Sequence, residues 1–385
     1  MSSDDTNNCE NNADYENNFG TVDFDDADFE TKLIQLVKEY GVVVIKGVVP
    51  QSECDSYVDR LVTDLETVSD FDRTDLKTWT QSNLPLQVRP GMFHCVVCNT
   101  PTVNELRFNE NIVKIFTTYY THFKKREHNP YRPIDMIVSN DGLNIKPGSV
   151  GPFDTGADWA HLDQTTEPDN PFKCIQGQIV LSNTTACFRA SPKSHLLFRK
   201  ILRDNAGSTK GDGFLKFAPE QYFELKKMVD LKGGSWQIKI PAQKGDFIIW
   251  TSATIHSATL QSRPVRQIKQ VKVTKGRANK EVDVWNGWRC VVFICYRPRE
   301  EFTEEQLRVK YSSFEKNLVT NHWGTKIFPR GFNRQNPKDT FSEKTRSFIE
   351  DPSKVYGLKG YAPNLTPEQK IMMGDYAEID LTDEE

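Results

Sequence analysis

The sequence DWAHLDQTTEP, residues 158–168, places a histidine and an aspartate two positions apart. Side chains two positions apart on a β-strand point to the same face of the sheet, whereas on a helix they are poor neighbours. On a strand, the side chains of His161 and Asp163 would therefore aim at one point. Whether that point is a metal site depends on a third ligand from elsewhere in the chain.

A third ligand is found in GDFIIWTSATIH, residues 245–256, which reads as a turn, a buried strand and then His256. Two histidines and one carboxylate on strands form the pattern of a facial triad, which binds Fe(II) and leaves coordination positions open. Zinc accepts the same ligand types, so the three residues do not by themselves identify the metal. Short motifs of this kind recur by chance, so they indicate a metal site only when the order of the surrounding elements supports it.

The predicted elements place helices before strands. Residues 29–41 and 50–68 have apolar side chains at helical spacing and flank a β-branched run at 42–47, and a further helix is predicted over 109–123. From residue 134 onward the chain consists largely of short β-prone runs separated by Gly, Pro and Asn. This order excludes a repeated βαβ unit and predicts a mainly β fold with flanking helices, either a sandwich or a barrel.

Composition limits the class of protein. No apolar run approaches the length of a membrane span, so none is expected. Residues 1–26 are acidic and rich in Asn, which predicts a disordered N-terminus and is unlike a signal peptide or a transit peptide. We therefore expect an intracellular protein, cytoplasmic or nuclear, whose eight cysteines are reduced thiols. The isolated pair Cys95 and Cys98 lacks the second pair that a structural zinc site needs.

Four motifs in a fixed order resemble those of the phytanoyl-CoA dioxygenase family. They are AHLDQ at 160–164, SPKSH at 191–195, GDFIIWTSATIHSA at 245–258 and WRCVVFICYRP at 288–298. The resemblance covers residues 30 to 300 or so and implies a double-stranded β-helix, a jelly-roll or cupin-like barrel with flanking helices. It predicts an oxygenase domain over 27–330 and a C-terminal extension with an acidic tail over 331–385.

The resemblance also implies an activity, that of an Fe(II)- and 2-oxoglutarate-dependent dioxygenase, with ascorbate as a reductant in assays. The iron ligands it implies are His161, Asp163 and His256. Retention of the aspartate favours hydroxylation, because halogenating relatives replace this carboxylate. An arginine suits the distal carboxylate of 2-oxoglutarate, because its planar fork binds a carboxylate through two hydrogen bonds. The implied contacts to the co-substrate are Arg289, Asn144, Ser257 and Thr259. His195, in the SPKSH turn, matches a family histidine that is not a ligand.

An insertion at 261–285 precedes Arg289 and makes the gap after the distal histidine longer than is usual in the family. Arg263 and Arg266 are therefore alternatives for the co-substrate arginine, but Arg289 opens the strand that should carry it. Residues 261–280 hold seven Lys or Arg and no acid. This segment is either a solvated hairpin or a basic lip that binds nucleic acid or another polyanion through salt-sensitive contacts.

Three functions remain open at this stage. The first is a dioxygenase that hydroxylates an unidentified small molecule. An anionic substrate would suit residues 31–370, which carry 49 basic and 37 acidic side chains, a net charge of +12. The second is a catalytically inactive barrel that acts as a binding or structural protein. The third is a metal-dependent hydrolase or cupin-type isomerase that uses the triad with zinc or manganese. By family analogy, the substrate pocket is lined from residues 70–110 by Trp79, Arg89, Phe93 and Arg107.

Overall fold

The computed structural model describes residues 19–126, 128–147, 159–183, 188–206, 213–258, 285, 287–328, 331–334 and 336–375. Its strands are β1 (Gly20–Asp23), β2 (Val42–Lys46), β3 (Gln87–Arg89), β4 (Met92–Phe93), β5 (Met136–Val138), β6 (Leu143–Lys146), β7 (His161–Leu162), β8 (Ile175–Val180), β9 (Phe188–Ala190), β10 (Leu215–Lys216), β11 (Ile238–Lys239), β12 (Phe247–Thr251), β13 (His256–Ala258), β14 (Arg289–Ile294) and β15 (Tyr296–Pro298). Its α-helices are α1 (Phe29–Tyr40), α2 (Gln51–Val68), α3 (Pro101–Arg107), α4 (Glu110–Phe123), α5 (Phe198–Asp204), α6 (Tyr222–Leu231), α7 (Glu304–Glu315), α8 (Glu343–Glu350) and α9 (Pro367–Met373). Helices and large sheets together make this a mixed α/β fold.

The first elements follow the sequence prediction, with one exception. Helices α1 and α2 flank β2, and α4 lies where the apolar spacing predicts a helix. The exception is Gly20–Asp23, which lies inside the segment predicted to be disordered but forms β1 and pairs in parallel with β2. Phe19 and Val22 are buried there. The composition of residues 1–26 as a whole conceals this short apolar stretch at its end.

An eight-stranded sheet, in the order β1-β2-β12-β8-β14-β6-β4-β3, forms the larger layer. Its pairings are antiparallel except for β1 with β2. On one face, Ile179 and Ile249 pack with helix residues such as Leu61 and Phe116 in the main hydrophobic core. Alternate strand residues such as Ile248 belong to a separate cluster on the opposite face. That opposite face is the one that meets the functional site.

A five-stranded sheet, in the order β10-β7-β13-β9-β11, forms the second layer, and all its pairings are antiparallel. Leu162 and Ile255 from this layer pack against Ile201 of α5 and Val229 of α6. Strands β5 and β15 form a separate two-stranded sheet. In the described part of the chain no strand pairing joins the two main sheets, so the predicted closed jelly-roll barrel is not confirmed. The prediction followed the β-prone runs and passed over α5 and α6, which interrupt them.

The C-terminal residues belong to the main core. Phe341, Ile349, Val355, Met372 and Met373 are all buried in the same cluster as the helices that open the chain. Helix α9 lies against β5 and α7. The segment predicted as an extension therefore packs closely on the body of the protein as far as residue 375.

Two further observations bear on the class of protein. No helix in the described ranges is both long enough and apolar enough to cross a membrane. The six described cysteines are unbridged and buried. Cys95 and Cys98 each donate to a backbone carbonyl group and lie in the main core.

Gly41, which joins α1 to β2, packs closely against two side chains, and this packing can be tested by substitution. Gly41 has a φ of 72°, and a Cβ atom there would lie 2.3 Å from His195 Nδ1 and 2.6 Å from Thr254 Oγ1. Gly47 has a φ of 71°, but a Cβ atom there would meet no other atom within 4 Å. We expect Gly47→Ala to lower the free energy of unfolding by about 1 kcal/mol, through backbone strain alone. Gly41→Ala adds a steric clash, and we expect a loss of about 3 kcal/mol or more.

Urea denaturation of both variants measures the difference. Because the two glycines have nearly the same positive φ, Gly47→Ala is the matched control. Equal losses of stability in the two variants would contradict the close packing of Gly41 on His195.

Candidate metal centre

His161, Asp163 and His256 converge, although the second histidine lies far along the chain. His161 lies in β7 and His256 in β13, and the two are direct partners in the antiparallel pairing of these strands. Asp163 Oδ1 lies 3.5 Å from His161 Nε2, and Asp163 Oδ2 lies 3.3 Å from His256 Nε2. One donor atom from each residue lies within 4.8 Å of the others, so the three side chains can hold a metal ion.

Both imidazoles are oriented by a backbone carbonyl group two residues earlier. His161 Nδ1 lies 2.9 Å from the carbonyl oxygen of Trp159, and His256 Nδ1 lies 3.0 Å from that of Thr254. A carbonyl oxygen can only accept a hydrogen bond, so in the neutral ring Nδ1 carries the proton. The lone pair of each Nε2 atom is then free to bind a metal.

Asp163 is held in place by residues of the larger sheet. Gln176 Nε2, on β8, donates to Asp163 Oδ2 over 3.0 Å and lies 3.2 Å from Ser252 Oγ. The Asp163 N–H donates to the carbonyl oxygen of Ser252 over 2.8 Å. Burial acts to raise the pKa of Asp163, but the imidazoles of His161 and His256 lower it well below its usual value. The carboxylate is therefore ionised and able to bind a cation.

Aromatic rings surround the histidines. Trp159 stacks on His161 with ring centroids 4.0 Å apart, and the rings of Trp250 and Phe188 lie 5.4 and 5.9 Å from that of His256. Burial, and then the neighbouring His256, lower the pKa of His161 to about 3. The His161 ring is therefore neutral at physiological pH and offers its lone pair without a competing proton.

The larger sheet presents an arginine to the same space. Gln176 contacts Asp163, and Gln178, two positions further along β8, shares its face of the sheet. Gln178 is paired with Phe293 in β14. Arg289 lies four positions before Phe293 and therefore points to the same side of the sheet, because cross-strand partners share a face.

Arg289 is buried without a counter-charge. It is 3% exposed, and its side chain makes no hydrogen bond or ion pair with any residue that the structure describes. Its cross-strand partner is another cation, Lys146. Asn144, two positions before Lys146, shares this face, and its buried Oδ1 atom accepts no hydrogen bond in the described chain. A buried guanidinium without a partner costs free energy, so this position is suited to an anion.

The remaining predicted co-substrate residues are not brought to the triad. Ser257 follows His256 on β13 and points to the other face, where its hydroxyl group donates to Gln237 Oε1. Its role at the co-substrate stays a prediction. Thr259 and the basic residues of the insertion up to 284, Arg263 and Arg266 among them, lie outside the described residues.

Of the four residues predicted to line the substrate pocket, only Arg89 lies at the metal centre. Arg89 places its guanidinium 3.8 Å from the ring centroid of Trp159, beside the metal centre. Arg107 is instead fully buried and donates to two backbone carbonyl groups, so its prediction as a pocket residue is wrong. Trp79 and Phe93 pack edge to face in the main core, 6.3 Å apart, and their prediction as pocket residues is wrong as well.

Two residues at the site had no signal in the sequence. Gln176 reads as one more polar residue on a strand. His322 has a buried Nε2 atom without a hydrogen bond in the described chain, and burial lowers its pKa to about 4, while nearby Asp163 acts in the opposite direction. His195 lies elsewhere, where its Nε2 donates to the carbonyl oxygen of Lys38 over 3.0 Å. This agrees with the expectation that His195 is not a ligand.

Comparison with known proteins shows a shared fold and no sequence family. No protein-family model matches this chain, and no curated protein matches it in sequence. A solved protein from Salmonella typhimurium LT2 is similar with a TM-score of 0.56 at 13% identity, over 93% of this chain and 86% of that one. The GlcNAc inducible gene 2 protein of Candida albicans is similar with a TM-score of 0.51 at 15% identity, over 92% of this chain and 83% of its own.

A weaker similarity is to the epimerase SnoN, solved in complex with Fe3+, alpha ketoglutarate and nogalamycin RO. It has a TM-score of 0.42 at 13% identity, over 71% of this chain and 85% of its own. The solved structures that resemble this chain thus include non-haem, alpha ketoglutarate-dependent enzymes.

The triad geometry predicts a loss of metal binding when any of its members is removed. We expect His161→Ala, Asp163→Ala or His256→Ala to lower the affinity for Co(II) by about 100-fold or more, because each change removes one of three ligands. Isothermal titration calorimetry measures this loss. The control is His195→Gln, which removes a buried imidazole outside the triad and is expected to keep the wild-type affinity. Equal losses in the control and the ligand variants would refute the assignment.

The contact between Gln176 and Asp163 predicts a smaller effect. Gln176→Leu removes the amide that orients the carboxylate, and we expect the affinity for Co(II) to fall about 10- to 100-fold. Gln178→Leu is the matched control, since Gln178 lies on the same strand and face but makes no contact with Asp163. An unchanged metal affinity in Gln176→Leu would show that Asp163 does not need this support.

Proposed function

We propose that this protein is an Fe(II)- and 2-oxoglutarate-dependent dioxygenase that hydroxylates a small molecule. The observation that carries the proposal is the convergence of two imidazole nitrogens and one ionised carboxylate at a buried point. This donor set fits Fe(II) in the manner of a facial triad, with His161, Asp163 and His256 as ligands, and it leaves positions open for a co-substrate.

The unpaired arginine supports 2-oxoglutarate as that co-substrate. Arg289 is buried, has no acid beside it in the described chain and lies on the sheet face that also carries Gln176, the partner of Asp163. A guanidinium binds a carboxylate through two parallel hydrogen bonds. Because 2-oxoglutarate has a carboxylate at each end, one end can reach the metal while the other pairs with Arg289. Asn144 lies beside this position and has a free acceptor atom.

Iron and 2-oxoglutarate would supply the oxidising chemistry, in which O2 converts a substrate C–H bond to C–OH and the co-substrate becomes succinate and CO2. The chain itself positions the participants. Carbonyl groups of Trp159 and Thr254 fix the two imidazoles, and Gln176 fixes the carboxylate. The aromatic rings around the histidines exclude water. Asp163 fills the ligand position that a halide would need, which favours hydroxylation over halogenation.

We also infer that the two main sheets are the halves of a double-stranded β-helix. Both are antiparallel apart from the edge pairing of β1 with β2. The smaller sheet carries the two histidines and the larger one carries Arg289, and they meet where Gln176 contacts Asp163. An arrangement of this kind places the site between the layers of a jelly roll.

The proposal is tested by titrating the protein with Fe(II) and then 2-oxoglutarate without oxygen. We expect the weak visible charge-transfer band of the chelated co-substrate, and we expect His161→Ala to abolish it. Arg289→Gln should weaken 2-oxoglutarate binding about 10- to 100-fold, because it removes a charge-assisted pair worth roughly 1.5–3 kcal/mol. The affinity for Fe(II) should stay the same. Arg289→Lys keeps the positive charge but loses the planar pair of donors, so we expect its affinity for 2-oxoglutarate to lie between those of the wild type and Arg289→Gln.

Other outcomes identify the rival functions. Iron binding without the band and without succinate formation in air would overturn the dioxygenase. Zinc or manganese in the purified protein, with no response to 2-oxoglutarate, would indicate a hydrolase or an isomerase. A protein that retains no metal at all would indicate a binding or structural role.

A further inference from the structure

Arg89 lies at the rim of the metal centre and has no part in the chemistry proposed above. Its guanidinium carbon lies 3.8 Å from the ring centroid of Trp159, and Trp159 stacks on His161 at 4.0 Å with an angle of 16° between the rings. Since the imidazole covers one face of the indole, the guanidinium occupies the other. Stacking on an aromatic ring leaves the in-plane N–H donors of an arginine available at its edge.

We infer that Arg89 binds an anionic group of the prime substrate, a carboxylate or a phosphate. This inference rests on the proposed function, because it assigns the substrate anchor within the same site. It narrows the substrate to a small molecule with a negatively charged group at one end and the reacting C–H bond at some distance from it.

Arg89 lies on the edge strand of the larger sheet, and its stacking on Trp159 turns its side chain towards the metal centre. Arg89 is paired with Met92, and Met92 with Asn144. Asn144 shares its face with Lys146, which is the partner of Arg289. The pairing of β3 with β4 shifts register between Gln87 and Arg89, so the rule that cross-strand partners share a face applies only to Arg289. Arg89 is directed to the same space by its contact with Trp159, which stacks on His161. With Lys146, the site thus has three cations on separate strands, namely Arg89 on β3, Lys146 on β6 and Arg289 on β14.

The hairpin of β3 and β4 holds Arg89 in a fixed position. The N–H group of Gly91 donates to Gln87 Oε1 over 2.6 Å and closes the turn. Gly91 has a φ of 76°, and a Cβ atom there would lie 2.5 Å from the carbonyl oxygen of Ile145. The turn therefore lies directly on β6. A rigid backbone of this kind is what a substrate-anchoring side chain requires.

Arg89 also lacks a counter-charge in the described chain. Its side chain makes no hydrogen bond or ion pair there, and burial lowers its pKa without an acid to oppose the shift. With Fe(II) and 2-oxoglutarate bound, Asp163 and the two carboxylates of the co-substrate balance the metal and Arg289. Two cations remain on this side, Lys146 and Arg89. Lys146 takes part in another interaction, whereas Arg89 has no acid beside it in the described chain, and a substrate with one negative group would neutralise it.

The test uses Co(II) as a paramagnetic replacement for iron and inorganic phosphate as the probe. In protein loaded with Co(II) and 2-oxoglutarate, phosphate bound at Arg89 lies near the metal, and its 31P resonance is broadened. We expect this broadening to fall about tenfold or more in Arg89→Gln, because the charge-assisted contact is lost. Arg199→Gln is the control, since it removes an exposed arginine on α5 and should leave the broadening unchanged. A parallel titration with acetate, read from its methyl protons, shows whether the site takes carboxylates as well.

Each result decides a different question. Loaded wild-type protein without broadening, or with broadening that Arg89→Gln does not reduce, overturns the anchor and leaves the proposed function intact. Loss of 2-oxoglutarate binding in Arg89→Gln, but not in Arg289→Gln, also overturns it, since Arg89 would then be the co-substrate residue. Failure of Co(II) or 2-oxoglutarate to bind the wild type counts against the proposed function. In that case the role of Arg89 is tested on metal-free protein. The Tm is measured in phosphate and in chloride at equal ionic strength, and the rise in phosphate is compared between the wild type and Arg89→Gln. A rise that disappears in Arg89→Gln supports the anchor, and a rise independent of Arg89, or none, overturns it.

Discussion

The metal centre depends on the pairing register between two short strands, β7 and β13. His161 and His256 are direct partners there, so their imidazoles lie side by side. A shift of one residue would turn one imidazole to the opposite face, because side chains alternate along a strand. On its other side, β13 is held by the turn after β9: the Ser191 N–H donates to the carbonyl oxygen of Ile255, and the Ile255 N–H donates to Ser194 Oγ. The SPKSH turn thus supports the metal centre without supplying a ligand.

The two sheets contribute opposite charges to the space between them. The smaller sheet and the loop that follows β7 supply the donors for a cation, and the lowered pKa of Asp163 means that its carboxylate is ionised. The larger sheet supplies Arg289, a buried cation that has no acid in the described chain. A metal ion and a dicarboxylate that bind together satisfy both sides. Each ligand therefore removes an electrostatic cost that would persist if the other bound alone.

The sequence predicts the parts of this site that depend on local spacing. The pattern His161-x-Asp163 and the strand before His256 indicate three converging ligands, and apolar periodicity locates α1, α2 and α4. Local spacing does not predict contacts between distant segments. The hydrogen bond from Gln176 to Asp163 arises from the packing of two sheets. Arg107 lies in the core because its N–H groups find backbone carbonyl groups there. Strand β1 is not predicted for the same reason, because it is stabilised by its pairing with β2, a separate segment of the chain.

The burial of residues 341–373 means that truncations before this segment remove part of the main core. Phe341, Ile349, Val355 and Met373 lie in the same core as the first helices, so residues as far as 373 are needed to complete this core. A chain under synthesis cannot close this core until residue 373 has left the ribosome. A stop codon before residue 341 would therefore remove five buried side chains of the main core together with everything that follows them.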